Sequence, residues 1–273
     1  MNIGIDFGIS NIDVAIESKS ELKFFSFASS QDDSVVDKFH EVMEKLDLPI
    51  AEIKSISVTG GKSSDIPNLY NSIHVSKVNE VQAIGCGAKQ IYDINEDSFV
   101  VVSAGTGTAC VSYQNGEFHH LGGISVGGGT LQGLSSLILK EGDADKIEES
   151  AQKGNKNNID DLIGDVVNDI GSLHPDITAS NFVKAKRSND LNNNDIAASL
   201  TNMTGEVIGT ISYLNALLVG VDRVYFIGRT SLLDSVRDGI DKRLKLAGVT
   251  GKYKANREFA NAIGALAYLK PKI

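Results

Sequence analysis

Three glycine-containing turns follow strand-like segments of this sequence, and each places backbone N–H groups where an anion could bind. They are Asp6-Phe7-Gly8-Ile9-Ser10, Ser103-Ala104-Gly105-Thr106-Gly107-Thr108 and Gly122-Gly123-Ile124-Ser125-Val126-Gly127-Gly128-Gly129. Glycine lets the main chain approach a ligand closely, and neighbouring hydroxyls can donate hydrogen bonds to phosphate oxygens. The third turn runs into a helical pattern whose N-terminal dipole would favour the anion. The turns therefore predict phosphate binding, with a set of tight hairpins as the alternative.

Two common nucleotide-binding motifs do not account for these turns. No Gly-Lys-Ser or Gly-Lys-Thr sequence closes any of the three, which excludes a P-loop there. No Gly-x-Gly-x-x-Gly fingerprint follows the first strand-like segment either, so a dinucleotide-binding fold is not indicated. The five histidines have no zinc-ligand spacing.

Charge and cysteine content limit the classes of partner. The 273 residues include 26 basic and 35 acidic side chains, a formal net charge of −9, so we expect no general attraction to nucleic acid or to a membrane surface. An anionic ligand must instead be bound locally. The two cysteines, Cys86 and Cys110, exclude a disulfide framework and a four-cysteine iron–sulfur site. We expect a cytoplasmic protein.

Short apolar runs alternate with stretches of helical period, which predicts an α/β protein. The predicted elements in the first part are strands at Asn2–Asp6, Asp13–Glu17, Leu22–Phe27 and Ile53–Thr59 and a helix from Asp33 to Leu46. The same order recurs as strands at Phe99–Ser103, Thr108–Tyr113, Glu117–His120 and Val224–Ile227. A long apolar stretch of helical period from Asp195 to Val219 predicts either a buried helix or a dimer helix.

Together these motifs resemble the ASKHA superfamily of actin-like and hexokinase-like folds and, within it, the type II pantothenate kinase family. The matching segments follow the family's order over nearly the whole chain. Besides the three turns they are Thr59-Gly60-Gly61, Gln132-Gly133-Leu134, Gly154-Asn155-Lys156-Asn157-Asn158-Ile159-Asp160, Thr178-Ala179-Ser180-Asn181-Phe182, Gly205-Glu206-Val207 and Ala262-Ile263-Gly264-Ala265-Leu266.

The resemblance implies a two-lobed, ribonuclease H-like α/β fold. Residues 1–97 would form the smaller lobe and residues 98–273 the larger, dimer-forming lobe, with ATP in the cleft. It implies ATP-dependent phosphorylation of pantothenate, the first step toward coenzyme A, or of a related pantetheine-like alcohol, by a homodimer that uses Mg²⁺. The alternative is a catalytically impaired member that acts as a binding or regulatory protein. An ATP-driven activator with an iron–sulfur cluster is disfavoured because suitable cysteines are lacking.

The resemblance also assigns roles to individual residues. Glu80 stands at the position of the family's catalytic carboxylate, and its alternative is a solvated acid at a helix start. Asp6 would hold Mg²⁺ through water, or else would cap the turn at Gly8. Tyr253 falls near the family's substrate pocket, with simple packing as the alternative. The residues expected to bind the nucleotide are Asp6, Gly8, Ser10, Gly105, Thr106, Gly107, Thr108, Gly128, Gly129, Gln132 and Gly228.

The first turn and one catalytic position depart from the family pattern. The family has Asp-x-Gly-Gly-Thr with a lysine three residues later, whereas here Ile9, Ser10 and Asp13 occupy the last two turn positions and the lysine position. Ile9 adds a β-branched side chain where main chain should approach phosphate, and Asp13 reverses a charge near the γ-phosphate. The family's arginine before Gly-Gly aligns with His120, a catalytic candidate that would supply a cation only when protonated. We expect weaker ATP binding and slower turnover.

Overall fold

The computed structural model describes residues 1–19, 21–30, 32–167, 174–187 and 191–269. Its α-helices are α1 (Val35–Leu46), α2 (Glu80–Tyr92), α3 (Gly128–Ile138), α4 (Ala144–Lys153), α5 (Ile163–Val166), α6 (Asn193–Val219), α7 (Asp234–Leu246) and α8 (Ala260–Tyr268). Its strands are β1 (Asn2–Phe7), β2 (Asn11–Ser18), β3 (Glu21–Ala28), β4 (Ser55–Gly60), β5 (Leu69–Tyr70), β6 (Ile73–Lys77), β7 (Phe99–Ala104), β8 (Thr108–Gln114), β9 (Glu117–Ile124), β10 (Asp161–Leu162), β11 (Thr178–Ser180), β12 (Arg223–Ile227) and β13 (Thr250–Lys252). No helix in the described ranges is long and apolar enough to cross a membrane.

The first sheet has the strand order β3-β2-β1-β4-β6-β5. Strand β1 pairs antiparallel with β2 and parallel with β4, so it is central and needs apolar side chains on its faces. Ile3 and Ile5 are fully buried and Phe7 nearly so. The strands predicted for this part of the chain are confirmed, and β1 and β2 form a hairpin around Gly8.

The second sheet has the order β13-β12-β7-β8-β9. It repeats the strand, glycine turn, strand, strand sequence of the first sheet, as the recurring pattern predicted. The long apolar stretch forms α6, which begins at Asn193, where the Asn192 side chain accepts a hydrogen bond from the Asn194 N–H, and ends where Gly220 adopts a left-handed conformation. The helix prediction for this stretch is confirmed.

The residue contacts divide the chain into two compact units, each built from more than one stretch of sequence. The first comprises Met1–Val101, Val111–His120 and Lys254–Ile273, and the second comprises Val102–Cys110 and Leu121–Tyr253. The lobes proposed from the sequence, residues 1–97 and 98–273, stay a prediction.

Helix α1 shows how local sequence determines an element of the first unit. Ser34 caps it by accepting a hydrogen bond from the Asp37 N–H at 3.1 Å, which explains why the helix begins after the predicted Asp33. Its buried face carries Phe39, Val42 and Met43 in helical spacing, and these residues pack against the first sheet. The helix is therefore held by burial of one apolar face.

Helix α2, which begins at Glu80, packs closely on α8 because small residues lie at the crossing. A Cβ atom at Gly87 would collide with the backbone carbonyl oxygen of Ala260. Backbone cannot move aside as a flexible side chain can, so this position requires glycine. The close crossing fixes the helix that presents Glu80.

We expect Gly87→Ala to lower the free energy of unfolding by about 2–3 kcal/mol, since overpacking a rigid contact costs this much. Chemical denaturation measures the change. Gly133→Ala in α3 is the matched control, because a Cβ there meets nothing within 4 Å. That control should gain roughly 0.5–1 kcal/mol of stability. Equal stability of Gly87→Ala and wild type would contradict the close crossing.

Candidate active site

Asp6 lies near the end of β1, at the point where a second carboxylate faces it. It is the register partner of Asp13 on β2. Its Oδ2 atom accepts a hydrogen bond from the Asn261 side-chain amide at 3.1 Å. Burial, together with the charges of Asp13 and Glu80, raises the pKa of the Asp6 carboxyl to about 7, and the Asn261 hydrogen bond partly opposes this rise. The ionised form of Asp6 is therefore unfavourable when no cation is bound beside it.

This arrangement fits a magnesium ion that is held mainly by its nucleotide. Among the residues that the structure describes, no three His, Cys, Asp or Glu side chains are grouped to hold a metal. Mg²⁺ commonly binds through one or two carboxylates together with water and phosphate oxygens, and does not need such a cage. A bound cation beside Asp6 would offset the repulsion from Asp13 and Glu80. Asp6 is the residue that would hold it.

We expect Asp6→Asn to stabilise the ligand-free protein more at pH 8 than at pH 5. The folded-state pKa of about 7 exceeds the ordinary value of 3.8, so the wild type is most stable below pH 4 with respect to this group and loses that stability as pH rises to 7. The difference between variant and wild type should grow by about 2 kcal/mol from pH 5 to pH 8. Urea denaturation at both pH values measures it.

An exposed aspartate provides the control for this titration. Asp33→Asn should show no such growth, because Asp33 is exposed just before α1. A stability difference for Asp6→Asn that does not depend on pH would contradict the raised pKa of Asp6.

Glu80 is the first residue of α2 and is exposed. The preceding Asn79 caps the helix, its side-chain oxygen accepting a hydrogen bond from the Val81 N–H at 2.9 Å. The charge of Glu80 raises the pKa of Asp6, so these two predicted site residues of the first unit interact electrostatically. An exposed carboxylate is open to a substrate hydroxyl, and the role of Glu80 as base stays a prediction.

The second glycine turn is bonded to the start of α3. The N–H of Gly128 donates to the Gly105 carbonyl at 2.8 Å, and the N–H of Gly129 donates to the Thr106 carbonyl at 2.9 Å. The buried hydroxyl of Thr108 donates to the Val126 carbonyl at 2.8 Å. These three donors are therefore used within the protein, and they fix the shape of the loop from Gly105 to Gly107.

Gly228, at the end of β12, supports the same loop from the other side. Its φ of 87° lies in the left-handed region, and a Cβ atom would collide with the carbonyl oxygen of Ala104. Two residues later, the buried Thr230 hydroxyl donates to the Gly105 carbonyl at 2.7 Å. Gln132 lies half-buried on α3 near Gly128. The predicted nucleotide residues of the second unit thus converge, and Thr230, which the sequence did not single out, joins them.

The first glycine turn is short and open to solvent. Ile9 is 68% exposed, so its side chain is not part of the core. The carbonyl of Ser10 accepts a hydrogen bond from the Ser29 N–H at 3.0 Å, which ties the turn to the end of β3. Gly8 is partly buried beside it. An exposed isoleucine stands where the family has glycine.

His120 and Tyr253 occupy contrasting settings. His120 is exposed on β9, in the first unit. Tyr253 is partly buried in the second unit, where its hydroxyl donates to Asp241 at 2.8 Å and its ring stacks on Phe226 with centroids 5.1 Å apart. The packing alternative accounts for these contacts of Tyr253, and its substrate role stays a prediction.

Solved structures of other proteins have a similar fold. An activator of the 2-hydroxyisocaproyl-CoA dehydratase from Clostridium difficile, solved with ADPNP, aligns with a TM-score of 0.69 and 14% identity over 98% of this chain and 93% of its own. A ROK family glucokinase from Streptomyces griseus, solved with glucose and AMPPNP, aligns with a TM-score of 0.65 and 11% identity over 98% of each chain. These likenesses confirm the predicted ASKHA-type α/β fold.

Sequence comparison identifies the family within that fold class. A family model described as Fumble matches residues 89–232. A type II pantothenate kinase of Bacillus cereus is 31% identical over 281 residues, covering 99% of this chain and 98% of its own. Pantothenate kinase 2 of Arabidopsis thaliana is 31% identical over 63% of this chain and 23% of its own. The chain belongs to the Fumble, or type II pantothenate kinase, family, as the sequence motifs predicted.

Proposed function

We propose that this protein transfers the γ-phosphoryl group of ATP to the primary hydroxyl of pantothenate or of a closely related pantetheine-like alcohol. The observation that carries the proposal is 31% identity to a named type II pantothenate kinase over 99% of the chain. The nucleotide analogues in two solved structures of similar fold support the use of ATP.

In this proposal each group performs one part of phosphoryl transfer. Glu80 accepts the hydroxyl proton as the substrate oxygen attacks, which is the task of a general base. The loop Gly105–Thr108, whose shape is fixed by its hydrogen bonds to the start of α3, orients the nucleotide phosphates. Asp6 would hold Mg²⁺, which when bound neutralises charge on the phosphate oxygens. His120 stands where a donor would stabilise the transferring group, and Tyr253 would contact the substrate.

The Asp6–Asp13 pair makes nucleotide binding a specific weakness of this chain. Asp13 is 7% exposed and faces Asp6 across the β1–β2 ladder. We expect Asp13→Asn, which removes the negative charge and keeps the shape, to lower the KM for Mg-ATP by about five- to tenfold, about 1 kcal/mol. Steady-state kinetics at fixed pantothenate measures it.

Asp37→Asn, a change on an exposed face of α1, is the control and should leave the KM for ATP unchanged. An unaltered KM for ATP in Asp13→Asn would show that Asp13 does not oppose the nucleotide.

The test of function is a panel of alcohols with Mg-ATP, scored by ADP release and by phosphorylated product. Pantothenate, pantetheine and an N-alkyl pantothenamide should be phosphorylated, whereas glucose should not. Binding of ATP and pantothenate without turnover would instead support the noncatalytic alternative. The electrostatic interaction of Glu80 with Asp6 supports catalysis, whereas the noncatalytic alternative rests on the departures at Ile9, Asp13 and His120.

The cytoplasmic homodimer remains part of the proposal. Its structural support is the apolar surface of α6, where Leu214, Leu217 and Leu218 are 49%, 57% and 75% exposed. A helix with such a surface favours a covering partner. Sedimentation equilibrium would test the dimer, which Leu217→Glu should weaken.

A further inference from the structure

A polar cavity of about 380 Å³ lies in the second compact unit, outside the residues assigned to catalysis. Its walls are the end of α4, the loop after it, and parts of α6 and α7. The side chains that matter here are Asn155, Lys156, Asn202, Ser235, Asp238 and Lys242. The loop belongs to the segment Gly154–Asp160, which the family resemblance includes and the proposed reaction does not use.

Cationic side chains dominate the charge of the cavity wall. Lys156 and Lys242 line it together with one carboxylate, Asp238, which lies 3.4 Å from the Lys242 ammonium. Lys156 has no carboxylate within ion-pair distance among the described residues, and its ammonium donates to the Thr178 hydroxyl at 2.9 Å. The wall thus carries two ammonium groups and one carboxylate, in a protein whose net charge is −9.

Charges of both signs act on Lys156. Burial lowers its pKa, the carboxylates of Glu206 and Asp160 oppose this, and the positive charges of Lys242 and Arg243 lower the pKa by a smaller amount. Glu206 is itself paired with Arg243, the two charged groups lying 3.4 Å apart. The Asp160 carboxylate accepts hydrogen bonds from the Phe182 N–H at 2.9 Å and from the Ser199 hydroxyl. An anion between Lys156 and Lys242 would offset the repulsion between the two ammonium groups and the loss of solvation at Lys156.

The uncharged side chains of the cavity wall indicate what the part of the ligand other than its anionic group is like. The cavity exceeds the size of a bare phosphate ion and falls within the usual range of small-molecule sites. Amide and hydroxyl groups of Asn155, Asn202 and Ser235 line it, and Asn202 is only 4% exposed, its amide donating to Thr178 at 3.2 Å. Such a wall favours a ligand with hydroxyl groups over an apolar ligand, because an apolar ligand would leave the amide and hydroxyl groups without hydrogen bonds.

We propose that this cavity binds a phosphate monoester with a hydroxyl-bearing body, its phosphate lying between Lys156 and Lys242. Charge-assisted hydrogen bonds from the two ammonium groups would anchor the phosphate. The site shares no residue with Asp6, Glu80, the Gly105–Thr108 loop or Gly228. It would therefore be a second small-molecule site on this chain.

Calorimetric titration of the full chain with glucose 6-phosphate, in the presence of excess AMPPNP, tests the proposal. Wild type should bind it, glucose should not bind, and inorganic phosphate should bind at least tenfold more weakly. Lys156→Gln and Lys242→Gln should each weaken binding at least tenfold. Lys245→Gln, an exposed lysine of α7 outside the cavity, should stay within twofold of wild type.

Absence of binding to wild type, or equal binding to both cavity variants, would overturn the proposal. Glucose or inorganic phosphate binding as tightly as glucose 6-phosphate would also overturn it. If Lys156→Gln fails to fold, Lys242→Gln carries the test, because the Lys242 side chain is 39% exposed and its replacement leaves the core intact.

Discussion

Replacing Glu80 by glutamine should lower kcat for pantothenate phosphorylation by at least about 10³-fold, within the range attributed to a positioned general base. Glutamine keeps the size and the hydrogen-bonding oxygen but cannot accept the proton. Because Glu80 is exposed at the first position of α2, the fold should survive with a loss of only about 0.5 kcal/mol from the helix dipole. Rates of phosphopantothenate formation and thermal unfolding measure the two effects separately.

The matched control is Glu44→Gln, another exposed helical glutamate of the first unit, which should retain wild-type kcat. If Glu80→Gln kept more than a tenth of the wild-type kcat, Glu80 would be the solvated acid at a helix start and the base would lie elsewhere. A lowered melting temperature would show that Glu80→Gln loses activity by unfolding, whereas an unchanged one would show that it loses the base.

Replacing His120 by arginine should raise kcat by about tenfold to a hundredfold, since one preorganised donor at a transferring group is worth about 10²–10³ in rate. Arginine supplies a permanent positive charge, whereas histidine supplies one only when protonated. His120 is exposed on β9, so the longer side chain needs no space in the core. Steady-state kcat at saturating Mg-ATP and pantothenate measures the gain.

The neighbouring His119 provides the control. It is also exposed on β9, but successive residues of a strand face opposite sides. His119→Arg adds the same charge and should leave kcat unchanged. Equal rate gains in both variants would indicate a general electrostatic effect, and no gain in His120→Arg would remove this position from the catalytic account.

The order of elements was largely predictable because it depends on local patterns. Short apolar runs with residues such as Ile3 and Ile5, turns at glycines and the helical spacing of Phe39 and Val42 each depend on a few neighbouring residues, and the structure confirms the elements predicted from them. The family followed from motifs that keep one order along the chain, and the comparisons confirm it.

The features of the candidate site that the sequence did not predict depend on contacts between residues far apart in the chain. Asn261 bonds Asp6 across 255 positions of sequence, and Thr230 bonds Gly105 across 125. Asn261 precedes one family segment and Thr230 follows Gly228, but neither pattern indicates which distant residue is contacted. The sequence also did not predict that the Gly128 and Gly129 amides bond within the protein. A glycine turn has the same sequence pattern whether its N–H groups bind phosphate or another loop.

The most direct measurement of the central claim follows the phosphoryl group itself. Purified protein is incubated with pantothenate, Mg²⁺ and ATP labelled with ¹⁸O in the γ-phosphate, and the products are resolved by mass spectrometry. The account predicts phosphopantothenate that carries the label in amounts equal to the ADP formed, with none from Glu80→Gln. Unlabelled or absent phosphopantothenate, with ATP and pantothenate both shown to bind, would contradict it.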